Sequence, residues 1–416
     1  MKKKKLFVAL CAVGLAAIIA GAVWAITKFS PSTPNDSSSD SSPEPIPVTP
    51  GVVYELSSDG TYAVVTGYEG TETQVWIANA YQGVPVTTIG EEAFAIQEQI
   101  EEVIIPGSVT SIGRSAFSSC TSLKSVVMGD GVTSIGQTAF SGCESLTSVV
   151  LPDSVTSIGK KAFNECERLQ LAEYGNAKYL GRENNAYFAL LEGIDEQSTS
   201  YAVHSDVKVI ADYAFFHNLY LTKIEIPDGA NVGAFAFAQC TALTTVTMEN
   251  VGIIGNNAFE SCNILRKVTM GNVGSIGDYA FRYCHVLTTL TMGNVGSIGM
   301  YAFSSCFGVT ALTMGDVGNI GCQAFSGCTG LLTLTMGNVG SIGEQAFRQC
   351  MALTTLTMGD VESIGLEAFS GCHALSEIVF KGTKAEWKAI PKDFRWHDGV
   401  AATEVKCSDG NVAIDD

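Results

Sequence analysis

The chain has 416 residues and a formal net charge of −18, with 24 Lys and Arg against 42 Asp and Glu. Binding to nucleic acid or to an anionic membrane surface relies on clustered Lys and Arg, so this acidity excludes both as partners. The 13 cysteines raise the question of disulfide bonds or metal sites.

The N-terminal 29 residues combine a basic start with an apolar segment. Lysines at positions 2–5 precede residues 6–26, which carry no charge and are long enough to span a bilayer. We therefore expect a signal anchor whose lysines stay inside and whose following chain is exported. Small residues around Ala22 and Ala25 leave a cleaved signal peptide as the alternative. The expected location is the cell surface, tethered through residues 6–26, or the extracellular space after cleavage.

Residues 30–50 (SPSTPNDSSSDSSPEPIPVTP) are rich in Ser, Pro and Asp and have no apolar cluster. Such a composition cannot bury enough apolar surface to fold, so the segment is predicted to be a disordered stalk. Extended Pro-rich chain rises about 3.1 Å per residue, which gives this stalk a reach of up to about 60 Å. A spacer without that reach has the same composition and stays open.

Most of the remaining chain consists of successive copies of a unit of 22 or 23 residues. A Phe preceded by Ala marks each copy, and the twelve markers are Phe94, Phe117, Phe140, Phe163, Phe215, Phe237, Phe259, Phe281, Phe303, Phe325, Phe347 and Phe369. A period of this size is typical of a solenoid, in which each unit is too small to bury its apolar side and stacks on its neighbours.

The spacing within one copy predicts its local structure. Leu287, Leu290 and Met292 fit an inward-facing strand, with Thr289 and Thr291 pointing to solvent. Further residues are predicted to form a second extended piece (Val295 and Ile298) and the inward face of one helical turn (Ala302, Phe303 and Cys306). The predicted fold is a leucine-rich-repeat solenoid, a right-handed curved stack with a strand and a short helix or turn per repeat, preceded by one transmembrane helix.

The copy at residues 146–166 (LTSVVLPDSVTSIGKKAFNEC) resembles the repeat of BspA-like leucine-rich-repeat surface proteins of bacteria. Residues 54–94 and 380–410 are similar to that family's lead-in and closing segments, so the resemblance covers residues 51–416. It implies surface display and binding, without a shared enzymatic activity. The expected domains after the stalk are an N-terminal cap at 51–93, a repeat domain at 94–379 and a C-terminal cap at 380–416.

A non-repeat insert at about 173–209 interrupts the pattern. It contains five aromatic residues: Tyr174, Tyr179, Tyr187, Phe188 and Tyr201. We expect a strand pair or an extended loop that continues the stack, with the aromatic residues used for packing, although a binding surface is the alternative. In the C-terminal cap, GTKAEWKAI is predicted to form an amphipathic helix, and Trp387 and Trp396 to close the core.

Ten cysteines share one position, three residues after the marker Phe: Cys120, Cys143, Cys166, Cys240, Cys262, Cys284, Cys306, Cys328, Cys350 and Cys372. Equivalent atoms in stacked coils lie about 4.8 Å apart with parallel side chains, whereas a disulfide needs Cβ atoms about 3.8 Å apart that point toward each other. We therefore expect reduced, buried thiols that act as weak donors. Cys322 and Cys407 lie outside this position and are the candidates for exposed thiols.

No catalytic motif is present. The five histidines, His204, His217, His285, His373 and His397, form no recognised metal or nucleophile pattern, and local C-x-x-C pairs are missing. We expect a protein that is not an enzyme and that needs no cofactor or metal.

The strand face is the candidate functional surface, because its outward positions in the later copies form two rows rich in threonine. In the earlier copies the outward rows are more apolar and mixed, as with Ser125 and Val127. The candidate partner-binding residues are Thr247, Thr269, Thr289, Thr291, Thr313, Thr333, Thr335, Thr355 and Thr357. The expected function is binding or adhesion to a host, bacterial or matrix protein. A glycan or cell-wall binder, a scaffold without a ligand and an ice-binding surface are alternatives, and Thr also occurs in strands for its propensity alone.

Overall fold

The computed structural model describes residues 48–182 and 184–415. Within that part of the chain, no helix is both long enough and apolar enough to cross a membrane. The expected membrane segment at residues 6–26 and most of the expected stalk lie outside the described residues.

The described chain forms short strands joined by turns, with a single α-helix near its end. The strands before the insert are β1 (Val52–Leu56), β2 (Ala63–Tyr68), β3 (Gln74–Trp76), β4 (Ala80–Tyr81), β5 (Val84–Ile89), β6 (Glu102–Ile105), β7 (Ser111–Ile112), β8 (Ser125–Met128), β9 (Ser134–Ile135), β10 (Ser148–Val150) and β11 (Ser157–Ile158). The insert contributes β12 (Ala172–Tyr174), β13 (Ala177–Arg182) and β14 (Asn185–Gly193).

The later copies continue the same alternation of two strands per coil. These strands are β15 (Val209–Ile210), β16 (Lys223–Ile226), β17 (Asn231–Val232), β18 (Thr245–Met248), β19 (Val251–Ile254), β20 (Lys267–Thr269), β21 (Val273–Ile276), β22 (Thr289–Thr291), β23 (Val295–Ile298), β24 (Ala311–Thr313), β25 (Val317–Ile320), β26 (Thr333–Thr335), β27 (Val339–Ile342), β28 (Thr355–Met358), β29 (Val361–Ile364) and β30 (Glu377–Phe380). The closing segment holds helix α1 (Lys384–Ala389) and strands β31 (Glu404–Cys407) and β32 (Gly410–Ala413).

The first of two structural units comprises residues 48–133, 140–154 and 163–169. Its strands β3, β6, β8 and β10 form one parallel sheet, in the order β10-β8-β6-β3. On its other side, β1 and β2 form an antiparallel pair, and β2 continues in parallel with β5 and then β7. The antiparallel pair replaces a repeat at the start of this unit, in the segment expected to be the N-terminal cap.

The second unit comprises residues 134–139, 155–162 and 170–415, apart from position 183. Strands β16, β18, β20, β22, β24, β26, β28 and β30 make one parallel sheet, which β31 and β32 extend. A second sheet runs from β12 through β15, β17 and β19 to β29. The insert, expected to be a strand pair or an extended loop, forms three antiparallel strands. Its last strand, β14, then pairs in parallel with β15, so the sheet continues as expected.

The segment after the second strand of each copy is a series of turns, where the sequence predicted a short helix or a turn. In the copy around Phe303, the N–H of Ala302 donates to Gly299 at 3.4 Å and that of Ser304 to Tyr301 at 3.1 Å, which is three-residue spacing. Tyr301 and Ser305 have φ of 54° and 63°, so the left-handed region interrupts any helix. The N–H of Phe303 donates instead to Ala324 of the next coil at 2.7 Å, and the turns therefore form a third ladder between coils.

The core is a stack of phenylalanine rings. In the second unit, neighbouring rings from Phe215 to Phe369 lie 4.9–5.1 Å apart, and in the first unit those from Phe94 to Phe163 lie 4.8–5.4 Å apart. These spacings match the distance between strands, since each ring belongs to one coil. Burying each ring contributes about 1.5–3 kcal/mol, so the stack is a large part of the folding free energy.

The two tryptophans of the closing segment are buried at the end of this stack. Trp396 lies 6.1 Å from Phe369, edge to face, and 5.8 Å from Trp387, which is fully buried. The predicted helix is confirmed as α1, and it begins with a capping box in which Thr383 and Glu386 bond each other's backbone N–H. The edge-to-face contact ends the run of parallel rings, as a capping residue does.

Candidate functional site

The nine candidate threonines lie in strand register on one sheet of the second unit. In the inner row, Thr247, Thr269, Thr291, Thr313, Thr335 and Thr357 are successive partners on β18, β20, β22, β24, β26 and β28. In the outer row, Thr289 follows Lys267, and Thr333 and Thr355 follow Ala311. We call these two rows the threonine strip. The strip spans about 24 Å, at ~4.8 Å per strand.

The strip presents hydroxyl groups to solvent, because the side chain between each pair of threonines is buried. Thr289, Thr291, Thr313 and Thr333 are exposed, and the other five are partly exposed. Leu290 between Thr289 and Thr291 is 3% exposed. Within residues 48–182 and 184–415, none of the nine hydroxyls makes a side-chain hydrogen bond, so all of them retain donor and acceptor capacity.

Charged pairs bound the threonine strip at both ends. Before it, Lys223 and Glu225 form an ion pair at 2.6 Å, and they are the register partners of the first threonines of β18. After it, Lys406 pairs with Glu377 at 2.6 Å. A neutral surface therefore lies between two charged borders, and Lys267 is the one charged side chain inside the rows. The sequence predicted these rows but not their borders.

In the first unit the corresponding positions of β8 are buried, whereas those of β6 and β10 are partly exposed. The sequence suggested outward rows there as well, but Ser125 is 8% and Val127 2% exposed. The hydroxyl of Ser125 donates to Glu102. Burying the apolar side chain of Val127 lowers the free energy, whereas an exposed threonine hydroxyl stays hydrated. The expectation of exposed rows is wrong at β8.

The cysteine ladder is built of reduced, buried thiols, as predicted. All twelve described cysteines are free, and the ten in the shared position are buried. Each of these thiols donates to the carbonyl of the marker Phe one coil earlier, at 3.0–3.4 Å. Burial raises the pKa of Cys166 to about 11 and that of Cys120 and Cys240 to about 12. Such thiols are poor nucleophiles.

Cys322 and Cys407, the candidates for exposed thiols, are only partly buried. Burial is also the main cause that raises the pKa of each. A reactive cysteine normally has a lowered pKa, so neither has the surroundings of a catalytic thiol.

The histidines lie at separate points of the fold. His285 contacts the Ser305 carbonyl at 3.1 Å and stacks on Phe307, while His373 contacts the Gly399 carbonyl at 3.0 Å. In the described residues, no three His, Cys, Asp or Glu side chains come close enough to hold a metal ion. Neither catalysis nor a cofactor site is indicated by these side chains.

The aromatic residues of the insert mostly pack inward. Tyr179, Phe188 and Tyr201 are 0%, 1% and 6% exposed, and Tyr187 stacks on His204 with ring centroids 3.9 Å apart. Tyr174 is the exception, at 43% exposed. Packing therefore accounts for four of the five aromatic residues.

A second ladder, which the sequence did not predict, lies at the corner of the second sheet. Asn and Asp residues there each accept, through Oδ1, the backbone N–H of the equivalent residue in the next coil, at 2.8–3.2 Å. The acceptors are Asp228, Asn250, Asn272, Asn294, Asp316 and Asn338. The signal for this ladder in the sequence was the Asn or Asp that precedes a Val in successive copies. This ladder borders an open groove of about 900 Å³ whose floor is a row of glycines.

These features define a class of protein, the leucine-rich-repeat β-solenoid. The chain belongs to the BspA-type leucine-rich-repeat family, since the model of the BspA type leucine rich repeat region matches residues 87–190, 195–310 and 296–389 in six copies. No curated protein matches the sequence.

Several solved structures are similar to the chain. A leucine rich cell surface protein from Faecalibacterium prausnitzii is 26% identical, with 86% of this chain and 99% of that chain covered and a TM-score of 0.32. A leucine-rich repeat protein from Bacteroides ovatus is 21% identical over 86% and 99% of the two chains, with a TM-score of 0.31. The pneumococcal vaccine antigen PcpA is 15% identical over 85% and 98%, with a TM-score of 0.31.

Proposed function

We propose that the chain is a surface-displayed binding or adhesion protein, and that the threonine strip contacts a protein partner. The observation that carries this proposal is the continuous register of the six inner-row threonines beside the three of the outer row, whose hydroxyls have no side-chain hydrogen bond within the described residues. A row of hydroxyl donors and acceptors, with Lys267 as its single charge, suits a protein surface of exposed backbone and side-chain polar groups. Many weak contacts then add up along the strip.

The strip is supported by a rigid scaffold. The buried side chains between the threonines, such as Leu290 and Leu312, pack into the same core as the phenylalanine stack. Each strand is bonded to a neighbour on either side, so the hydroxyl rows are held in place before a partner arrives. Binding then costs little backbone ordering, which favours affinity.

Display at the surface follows from the N-terminal sequence. The lysines at 2–5, the apolar residues 6–26 and the Ser- and Pro-rich residues 30–50 have the order of an anchor followed by a stalk. We infer that the solenoid faces outward. Protease added to intact cells should then remove the solenoid from full-length chain, and a chain that stays protected until lysis would contradict this inference.

The binding proposal is tested with the full chain on an array of matrix proteins and intact cells. The variant carries Thr291→Lys, Thr313→Lys and Thr335→Lys, three successive residues of the inner row. The matched control carries Ser275→Lys, Ser297→Lys and Asn319→Lys, which are successive partners on the second sheet. Both variants add three positive charges, and surface changes of this kind normally leave folding intact.

We expect the strip variant to lose binding to the array protein that the wild type binds, while the control retains it. If both variants bind as the wild type does, the strip is not the contact surface. Absence of any protein ligand for the wild type would favour a scaffold instead. Thermal unfolding by circular dichroism establishes that both variants are folded.

A further inference from the structure

On the second unit, five successive coils carry a row of left-handed residues that are mostly aromatic. The row consists of Tyr213, Phe235, Asn257, Tyr279 and Tyr301, all two residues before a marker Phe and all with φ of 54–61°. Each backbone N–H donates to the next coil at 2.8–3.0 Å, so the row is in register. Non-glycine residues pay strain for a positive φ, and bulky aromatic residues are uncommon there.

A cation lies against each aromatic part of the row. The ammonium of Lys160 is 4.3 Å from the ring centroid of Tyr213 and 5.7 Å from that of Phe216, while Tyr213 stacks on Phe235 at 4.8 Å. Within the described residues, Lys160 has no ion pair or hydrogen bond through its ammonium group. Its charge is therefore held over aromatic rings without a counter-ion.

The second cation is Arg282. Its guanidinium lies 4.2 Å from the ring centroid of Tyr283, 5.1 Å from Tyr279 and 5.8 Å from Tyr301. Tyr279 and Tyr301 are themselves stacked at 5.2 Å with 7° between their planes.

Most of the donor capacity of Arg282 remains free. Of its five N–H groups, those on one nitrogen bond the hydroxyl of Tyr283. Glu260 forms an ion pair with Arg282 at 3.9 Å, which is beyond hydrogen-bond distance, and its other carboxylate oxygen accepts from Asn257 at 2.8 Å. An arginine with free donors in a planar fork is suited to a carboxylate.

We propose that this aromatic and cationic row binds a linear, carboxylate-bearing glycan that runs along the coil axis. The electropositive edges of stacked aromatic rings, together with Lys160 and Arg282, supply a local attraction for anions on a chain of net charge −18. The tyrosine hydroxyls and Asn257 supply hydrogen bonds for sugar hydroxyls.

The spacing of the row favours a glycan over an acidic peptide. The row repeats once per coil, at about 4.8 Å. An extended peptide presents side chains on one side every ~6.6 Å, which falls out of register after one coil. Each pyranose residue lengthens a linear glycan by close to the spacing between two coils. Successive sugars therefore meet equivalent positions of the row. This site lies on the turns, apart from the threonine strip, and does not depend on the function proposed for the strip.

The test measures binding of the full chain to oligosaccharides of polygalacturonate and of hyaluronan, with neutral dextran and poly-L-glutamate as comparisons. The variant carries Tyr279→Asn, Tyr301→Asn and Arg282→Ser. These replacements already occur in the same positions of other coils, as Asn257 and Ser304. The control is Lys267→Thr, which removes one positive charge from the strand face and restores the residue of the neighbouring coils.

We expect the wild type to bind at least one of the two acidic glycans, with weaker binding at higher salt. The variant should bind about tenfold more weakly, because it loses a cation and two rings, while the control stays within about twofold. Absence of binding to both glycans, equal binding of dextran, tighter binding of poly-L-glutamate, or an equal loss in the control would each overturn the proposal. Equal thermal unfolding of the variant and the wild type establishes that folding is retained.

Discussion

The thiol of Cys328 donates a hydrogen bond to the carbonyl oxygen of Phe303, 3.3 Å away and one coil earlier in the stack. The same oxygen accepts the backbone N–H of Cys306, also at 3.3 Å. The carbonyl thus accepts one hydrogen bond from its own coil and one from the next coil. Only a protonated thiol can donate this bond, and burial raises the pKa of Cys328 to about 12, so the ladder depends on reduced, neutral cysteines.

Thiol reactivity should therefore divide into two classes. In the native chain we expect the partly buried Cys322 and Cys407 to react first with a thiol reagent, and the ten buried ladder thiols to react only as the chain unfolds. After denaturation without reductant, nearly all 13 cysteines should titrate as free thiols. Ladder cysteines recovered mainly as disulfides would contradict the stacking argument.

Alkaline pH should destabilise the fold. A cysteine pKa of about 8.5 in the unfolded chain rises to about 11 for Cys166 and about 12 for Cys240 in the folded one. A raised pKa gives stability that is complete below the unfolded value and is lost as the pH climbs through the folded value. The urea midpoint should accordingly fall from pH about 8.5 upward.

A matched variant separates this effect from other alkaline titrations. Replacing Cys262, Cys284 and Cys306 by Ala removes three buried thiols whose pKa burial raises. The variant should start less stable, because it loses packing and three S–H donors, but its midpoint should fall less steeply with pH. Parallel pH profiles for the variant and the wild type would show that the ladder does not contribute.

The glycine floor of the second sheet should not tolerate a side chain. A Cβ on Gly318 would overlap the carbonyl oxygen of Gly296 in the preceding coil, and the backbone cannot move without breaking the ladder. We expect Gly318→Ala to lower the free energy of unfolding by more than about 2 kcal/mol. Gly327→Ala is the control.

Gly327 has φ of +73° and no close contact, and Ser305 and Gln349 occupy the same position of other coils with positive φ. Its replacement should cost only about 1 kcal/mol, from backbone conformation alone. Urea denaturation compares the two variants. Equal losses would mean that close approach of the coils is not what requires glycine at position 318.

The closing tryptophan should matter far more than its exposed neighbour. Trp396 is 3% exposed and covers Phe369, whereas Phe394 is 83% exposed. Trp396→Ala should therefore cost about 3–5 kcal/mol in urea denaturation, and Phe394→Ala almost nothing. A chain that ends before Phe380 should aggregate, because it leaves the last coil uncovered. A soluble, cooperatively folding truncation would contradict the capping role.

The 22-residue period predicted the strands, the reduced cysteines and the threonine rows, because a fixed period puts equivalent residues such as Thr291 and Thr313 opposite each other. The turn conformation was not predictable in the same way. Tyr301 and Ser305 adopt positive φ through hydrogen bonds to the next coil, and their residue types do not signal it.

The Arg282 cluster was also missed, although Tyr279 and Tyr301 share one position of the repeat. Treating each turn alone hid the contact, since the two rings meet only across coils. Burial of Val127 likewise depends on tertiary surroundings rather than on the strand pattern. A repeat therefore predicts which residues occupy equivalent positions in successive coils. Contacts between residues at different positions of the repeat are seen only in the structure.

The most direct measurement compares two variants, each with three substitutions to Lys, in their binding to a protein ligand of the wild-type chain. The quantity measured is the dissociation constant of each variant for that ligand. The strip variant replaces Thr291, Thr313 and Thr335, and the control replaces Ser275, Ser297 and Asn319 on the second sheet. If the threonine strip is the contact surface, the strip variant should bind at least about tenfold more weakly and the control should be unchanged. Unchanged binding by the strip variant, or an equal loss in both, would contradict the account.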